Sequence, residues 1–237
     1  PVRGLAEPVA VYELLGAGPA RSRLQATAAR GLTRFVGRDA ELETLRRTSE
    51  QAGTGHGQLV ALVGEPGVGK SRLVWEFSHS HRTQAWLALA SGSVSYGKAT
   101  SYLPVIDLLK SYCGIESRDD PRRMREKLTG KLLTLDPALQ LTLPALLALL
   151  DLPVDDPAWA GLDPAQRQQR TIEALKRLLL RESQEQPLLL VFEDLHWIDA
   201  ETQALLDSLV DSLPTARILL LVNYRPEYEH AWHRKTY

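Results

Sequence analysis

The chain has 237 residues, 44% of them apolar and 24% charged, which allows one full α/β domain with a sizeable core and excludes the profile of a disordered chain. Its 28 basic and 29 acidic residues leave a net charge of -1, so no global field draws it to nucleic acid or to an anionic membrane. No stretch of about eighteen uninterrupted apolar residues is present to span a bilayer. The single cysteine, Cys113, has no partner within the chain for a disulfide.

The opening Pro1-Val2-Arg3-Gly4 has neither an initiator methionine nor the basic-then-apolar layout of a signal peptide, and reads as part of a longer cytoplasmic protein. Residues 8–14 alternate loosely and are β-rich enough for a short strand. Residues 15–31 then turn to Gly, Ala, Pro and Arg without a sustained apolar stripe, which predicts a linker.

Beyond it, residues 39–51 read as a helix and 58–63 as a fully buried strand ending in a glycine-rich turn. A helix over 69–80, a strand over 85–90 and a helix over 102–112 follow. Residues 118–152 form a Leu-rich helical stretch punctuated by Pro121, Pro137, Pro144 and Pro153, within a helical insert spanning about 101–183. Asp163-Pro164 supplies an N-cap and first-turn proline for a long amphipathic helix through Ile172, Leu175, Leu178 and Leu179 towards Ser183. Strands over 187–192 and 217–222 flank a helix over 201–212 that Pro214 stops. Strands alternating with helices predict a three-layer α/β fold around a parallel sheet.

Gly64-Glu65-Pro66-Gly67-Val68-Gly69-Lys70-Ser71 fits G-x-x-x-x-G-K-[ST], with an apolar strand before it and a helical pattern after it, as a phosphate-binding loop requires. Glycines at 64, 67 and 69 let the backbone turn its N–H groups inward round a phosphate chain, and the next helix offers its positive end. Lys70 would reach the β- and γ-phosphates of ATP, and the Ser71 hydroxyl would ligate the bridging Mg²⁺.

The strand over 188–192 runs directly into Glu193-Asp194, delivering two carboxylates to the carboxyl edge of the sheet, where ligands bind in open α/β folds. One would hold Mg²⁺ and its neighbour would orient the attacking water. The order is Glu then Asp, which leaves the division of labour open, with Glu193 favoured for the metal and Asp194 for the water. Arg225, after the fourth strand, can touch the γ-phosphate or simply pair with Glu227, and Asn223 is the alternative polariser of the water. His79 with His81, and His230 with His233, lack further ligands and read as ordinary polar residues rather than zinc sites. Five scattered tryptophans make no stacking platform for single-stranded nucleic acid.

Four blocks resemble the signal-transduction ATPases with numerous domains, a branch of the AAA+ and related ATPases also described as Orc1-like. They are Phe35-Val36-Gly37-Arg38-Asp39-Ala40-Glu41-Leu42, residues 64–71, Glu193-Asp194-Leu195-His196-Trp197-Ile198-Asp199 with a Leu-His-Trp signature, and Asn223 to Pro226. The resemblance runs from about residue 33 to 228. It implies a P-loop nucleotide-binding core over 33–237, with the phosphate-loop strand beside the fourth, then the third and second. It also implies contact from Val36 and Gly37 to adenine, so that the nucleotide set becomes Val36, Gly37, Arg38, Gly64, Glu65, Pro66, Gly67, Val68, Gly69, Lys70, Ser71 and Arg72. The chain ends at Tyr237, where the family would add a fifth strand and a helical lid, so slow turnover is expected. Residues 1–16 resemble the closing strand of a class III adenylate or guanylate cyclase domain, with 17–32 as linker.

The leading functional expectation is a regulatory ATPase whose ATP and ADP states bias attached domains: a fused cyclase and downstream helical or repeat domains, with a homo-oligomer possible. The alternatives are a DNA-associated Orc1-like machine, which the neutral charge disfavours, and a module that holds ATP without hydrolysing it.

Overall fold

Four strands, β1 (Gln58–Val63), β2 (Leu87–Gly92), β3 (Leu188–Glu193) and β4 (Ile218–Tyr224), form one parallel sheet in the order β1-β4-β3-β2. The computed structural model describes residues 28, 31–80, 83, 85–93 and 100–232; the strand expected over 8–14 lies outside them. The chain divides into two units, Pro1–Arg34 and Phe35–Tyr237, and all elements named here belong to the second.

Helices α1 (Asp39–Gly53) and α2 (Lys70–Ser78) cover one face of the sheet. The other is covered by α3 (Leu103–Cys113), α4 (Pro121–Leu135), α5 (Leu143–Leu149), the short α6 (Pro157–Ala160), α7 (Pro164–Glu185) and α8 (Ala200–Val210). β3 and β4 are continuous apolar runs because both of their faces are buried. Successive residues serve opposite cores. Leu189, Val191, Leu219 and Leu221 join Leu45, Leu73, Val74 and Phe77 on one side. Leu188, Leu190, Phe192, Ile218, Leu220 and Val222 join the helical insert on the other, where the leucines of α3 to α7 form the core the sequence predicts.

The caps follow the sequence. Asp163 Oδ1 accepts from Gln166 N at 2.8 Å while Gln166 Oε1 accepts from Asp163 N at 3.0 Å, a reciprocal box that starts α7 behind Pro164. Asp120 caps α4 in the same position relative to Pro121, by accepting from Arg123 N. Asp199 caps α8 through Thr202 and also accepts from Tyr102 N at 3.0 Å, tying α3 to α8. Inside the insert, Tyr112 donates to the buried Glu182 at 2.6 Å, which joins α3 to α7.

Strand limits differ from those expected in ways that matter for function. β2 begins at Leu87 rather than residue 85, because a turn in which Trp86 N donates to Thr83 O delays the ladder until Leu87 meets Leu188. β3 and β4 run on to Glu193 and Tyr224, so Asn223 is a residue inside a strand, paired with Leu62, and not part of a loop after it. β1 lies at the sheet edge and is only partly covered, with Val63 53% exposed. Among the described residues no helix is long and apolar enough to cross a membrane.

Candidate functional site

Parallel pairing brings the carboxyl ends of β1, β4 and β3 side by side, and the predicted residues 64–71, 223–225 and 193–194 leave from those ends. Gly64 N donates to Tyr224 O at 3.3 Å, which fastens the start of the glycine-rich loop to β4. Gly67 and Gly69 have φ of 84° and 92°, a left-handed backbone that a side chain resists. α2 starts at Lys70, directly behind Gly69. Residues 65–69 are exposed.

Lys70 Nζ donates to Gly64 O at 2.6 Å and to Glu65 O at 3.0 Å, so the ammonium lies across the loop it belongs to. Arg38 donates to Val68 O at 3.0 Å and pairs with Glu41 at 2.6 Å, which ties the leading segment to the loop. Val36 and Val68 are exposed apolar side chains, 68% and 44% accessible, and Gly37 adopts a φ of 74°. Arg72 is engaged by Glu76 at 2.7 Å, with its guanidinium 5.6 Å from the Phe35 ring centre.

The acidic pair is organised by Asn223, which is 1% exposed. Its Nδ2 donates to Glu193 Oε2 at 3.0 Å, and its Oδ1 accepts from Asp194 N at 2.9 Å. Asp194 has a φ of 57°, one of three non-glycine residues with positive φ among the described residues. Such a backbone costs on the order of 1–2 kcal/mol. It turns the chain out of β3 into the 3-10 turn Leu195–Trp197. On the other side of β3, Ser93 N donates to Glu193 O at 2.9 Å.

Arg225 lies 3.8 Å from Glu227, and its guanidinium is 5.9 Å from the Trp197 ring centre. His196 is held below the usual histidine pKa, chiefly by burial; Asp194 opposes this, while Arg225 and Lys70 reinforce it. Both of its ring nitrogens are buried without a hydrogen-bond partner among the described residues. His79 stacks on Trp75 with ring centres 3.7 Å apart, while His81 and His233 lie outside the described residues.

This donor set fits a phosphate chain: glycine-loop amides, an ammonium seated among loop carbonyls, and a helix start at Lys70. It also fits a hard divalent cation, through the Ser71 hydroxyl and the carboxylates of Glu193 and Asp194. Among the described residues no group of three or more His, Cys, Asp or Glu is gathered for a metal ion. A cation here would therefore rest on few protein ligands together with phosphate oxygens and water.

A parallel sheet with a glycine-rich loop on one strand end and an acidic pair two strands away defines a P-loop NTPase-like core. A family model described as the AAA ATPase domain matches residues 34–222, and the chain belongs to that family. The chain is similar to an uncharacterised protein of Rhizobium meliloti (strain 1021), 25% identical over 233 residues that cover 98% of this chain and 22% of that protein. It thus spans less than a quarter of the length of that relative.

Proposed function

We propose that the chain binds ATP with Mg²⁺ at residues 64–71 and serves as a regulatory nucleotide switch in a larger signalling polypeptide. The observation that carries this reading is the position of Lys70. Its ammonium occupies the loop through two carbonyl bonds, beside strand ends that present Glu193, Asp194, Asn223 and Arg225. Incoming β- and γ-phosphates would take over that ammonium, and the loop amides would hold their oxygens. Ser71 and Glu193 would hold Mg²⁺, and Asp194 would orient the attacking water. The exposed Val36 and the left-handed Gly37 support a contact with the adenine base next to Arg38.

The switch reading draws support from the size of the Rhizobium meliloti relative, of which this domain would be one part among several. The cyclase-like character of residues 1–16 is part of the proposal and falls outside the described residues. The exposed edge at Val63 favours a further strand or a second copy as neighbour.

The test is nucleotide binding and phosphate release measured on the same sample. Micromolar MgATP binding with slow release of phosphate, and no salt-dependent DNA binding, supports the switch. Binding with no release at all would favour a module that only holds nucleotide, and salt-dependent DNA affinity would favour the Orc1-like machine.

A further inference from the structure

Val68 sits between two glycines, Gly67 and Gly69, whose φ values of 84° and 92° are both positive. Glycine adopts either sign of φ at little cost, so the peptide joining Val68 to Gly69 can turn over without strain at residue 69. The two orientations are not equivalent for an anion. In a trans peptide the C=O and N–H point in opposite directions, so one orientation offers the Gly69 N–H and the other a carbonyl oxygen.

Arg38 decides between them from 30 positions away in the chain. One arm of its guanidinium, Nη2, donates to Val68 O at 3.0 Å, while the other, Nη1, is anchored by Glu41 Oε1 at 2.6 Å. The planar fork is thus set at the start of α1, which Arg38 precedes by one residue and whose first turn contains Glu41. With Val68 O drawn towards Arg38, the Gly69 N–H faces the opposite way. Lys70 holds two other carbonyls of the loop, Gly64 O and Glu65 O, and leaves Val68 O to Arg38.

We infer, on the reading that residues 64–71 bind the phosphate chain of ATP, that Arg38 is a positioning residue: it fixes the Val68–Gly69 peptide so that the Gly69 N–H is presented to a phosphate oxygen. It acts through the loop backbone and does not itself touch the nucleotide. A peptide turned over at this point would set a carbonyl oxygen against the phosphate and repel it.

Calorimetry of the whole chain with MgATP, together with the ¹⁵N order parameter of the Gly69 amide in the nucleotide-free chain, tests this on the parent, Arg38→Ala, Arg38→Lys and Glu41→Ala. The side chains of Arg38 and Glu41 are 44% and 40% exposed, so these variants leave the core intact. Arg38→Ala should lose about fivefold in affinity, the worth of one hydrogen bond. Its Gly69 order parameter should fall from about 0.85 towards about 0.6. The lysine variant keeps the charge but lacks the two-armed fork, and should recover little of either. Glu41→Ala should weaken binding about twofold, whereas a field effect alone would tighten it by removing a negative charge. Full recovery by Arg38→Lys, or tighter binding by Glu41→Ala, overturns the inference. So does unchanged affinity in Arg38→Ala, and so does lost affinity with Gly69 as ordered as in the parent, which marks direct contact with the nucleotide. A parent chain that binds no MgATP overturns the reading of residues 64–71 and the inference with it; the order parameter, read without nucleotide, keeps that failure distinct.

Discussion

Asn223 holds Glu193 by a 3.0 Å hydrogen bond from its Nδ2, and with its other end accepts the backbone N–H of Asp194 at 2.9 Å. One amide in the middle of the sheet thus sets the geometry of both acidic residues. Asn223→Ala should cost about 1–3 kcal/mol of unfolding free energy, because it leaves a buried N–H unpaired as well as freeing the Glu193 carboxylate. It should also reduce phosphate release more than nucleotide affinity. Urea unfolding and a phosphate-release assay check this; a variant with parental stability would show that the bridge is incidental.

The left-handed backbone of Asp194 gives a second prediction, separable from its chemistry. Asp194→Gly should be more stable than Asp194→Ala by about 1 kcal/mol, since only glycine adopts that φ without strain. Both should be inactive if the carboxylate orients water. Glu193→Gln should weaken Mg²⁺-dependent binding, whereas Asp194→Asn should keep nucleotide bound and slow its turnover. Parental hydrolysis by both amide variants would make the acidic pair structural.

Acid should loosen the helical insert. Lys127 and the Glu116 backbone N–H hold the Asp119 carboxyl below the usual aspartate range, and the Ala138 N–H and Arg181 do the same for Asp136. A depressed folded pKa stabilises above the unfolded value of about 3.9 and loses that stabilisation as pH falls through the folded value. The melting temperature should therefore fall below about pH 5. The deficit of the double variant Asp119→Asn, Asp136→Asn relative to the parent should shrink over the same interval. A deficit that stays constant from neutral pH to pH 3 would contradict the assignment.

Much of this architecture is written locally in the chain. β1 begins and ends at the residues its apolar run predicts, Asp163-Pro164 starts α7, and the sheet order follows from the phosphate-loop resemblance. What the sequence does not reveal are pairings between distant segments. The Asn223 bridge depends on the register of β3 against β4, and no periodicity encodes a side-chain amide lying level with Glu193. The Arg38 bond to Val68 O spans 30 positions in the chain. Gly57 looks like an ordinary turn glycine, yet a Cβ there would come within 2.2 Å of Leu213 O and 2.8 Å of Ala216 O. His196 could have been noticed as a polar residue between the apolar Leu195 and Trp197, but its isolation is a three-dimensional fact.

The central claim is that residues 64–71 bind ATP through Lys70, and calorimetric titration of the parent and Lys70→Ala with MgATP tests it most directly. On this account the ammonium, bonded to Gly64 O and Glu65 O, would pass to the β- and γ-phosphates in the parent, an exchange that water cannot reproduce within the loop. The account predicts saturable binding at one site, and a loss of at least about tenfold for Lys70→Ala with its fold intact by circular dichroism. Equal affinity in parent and variant would contradict it.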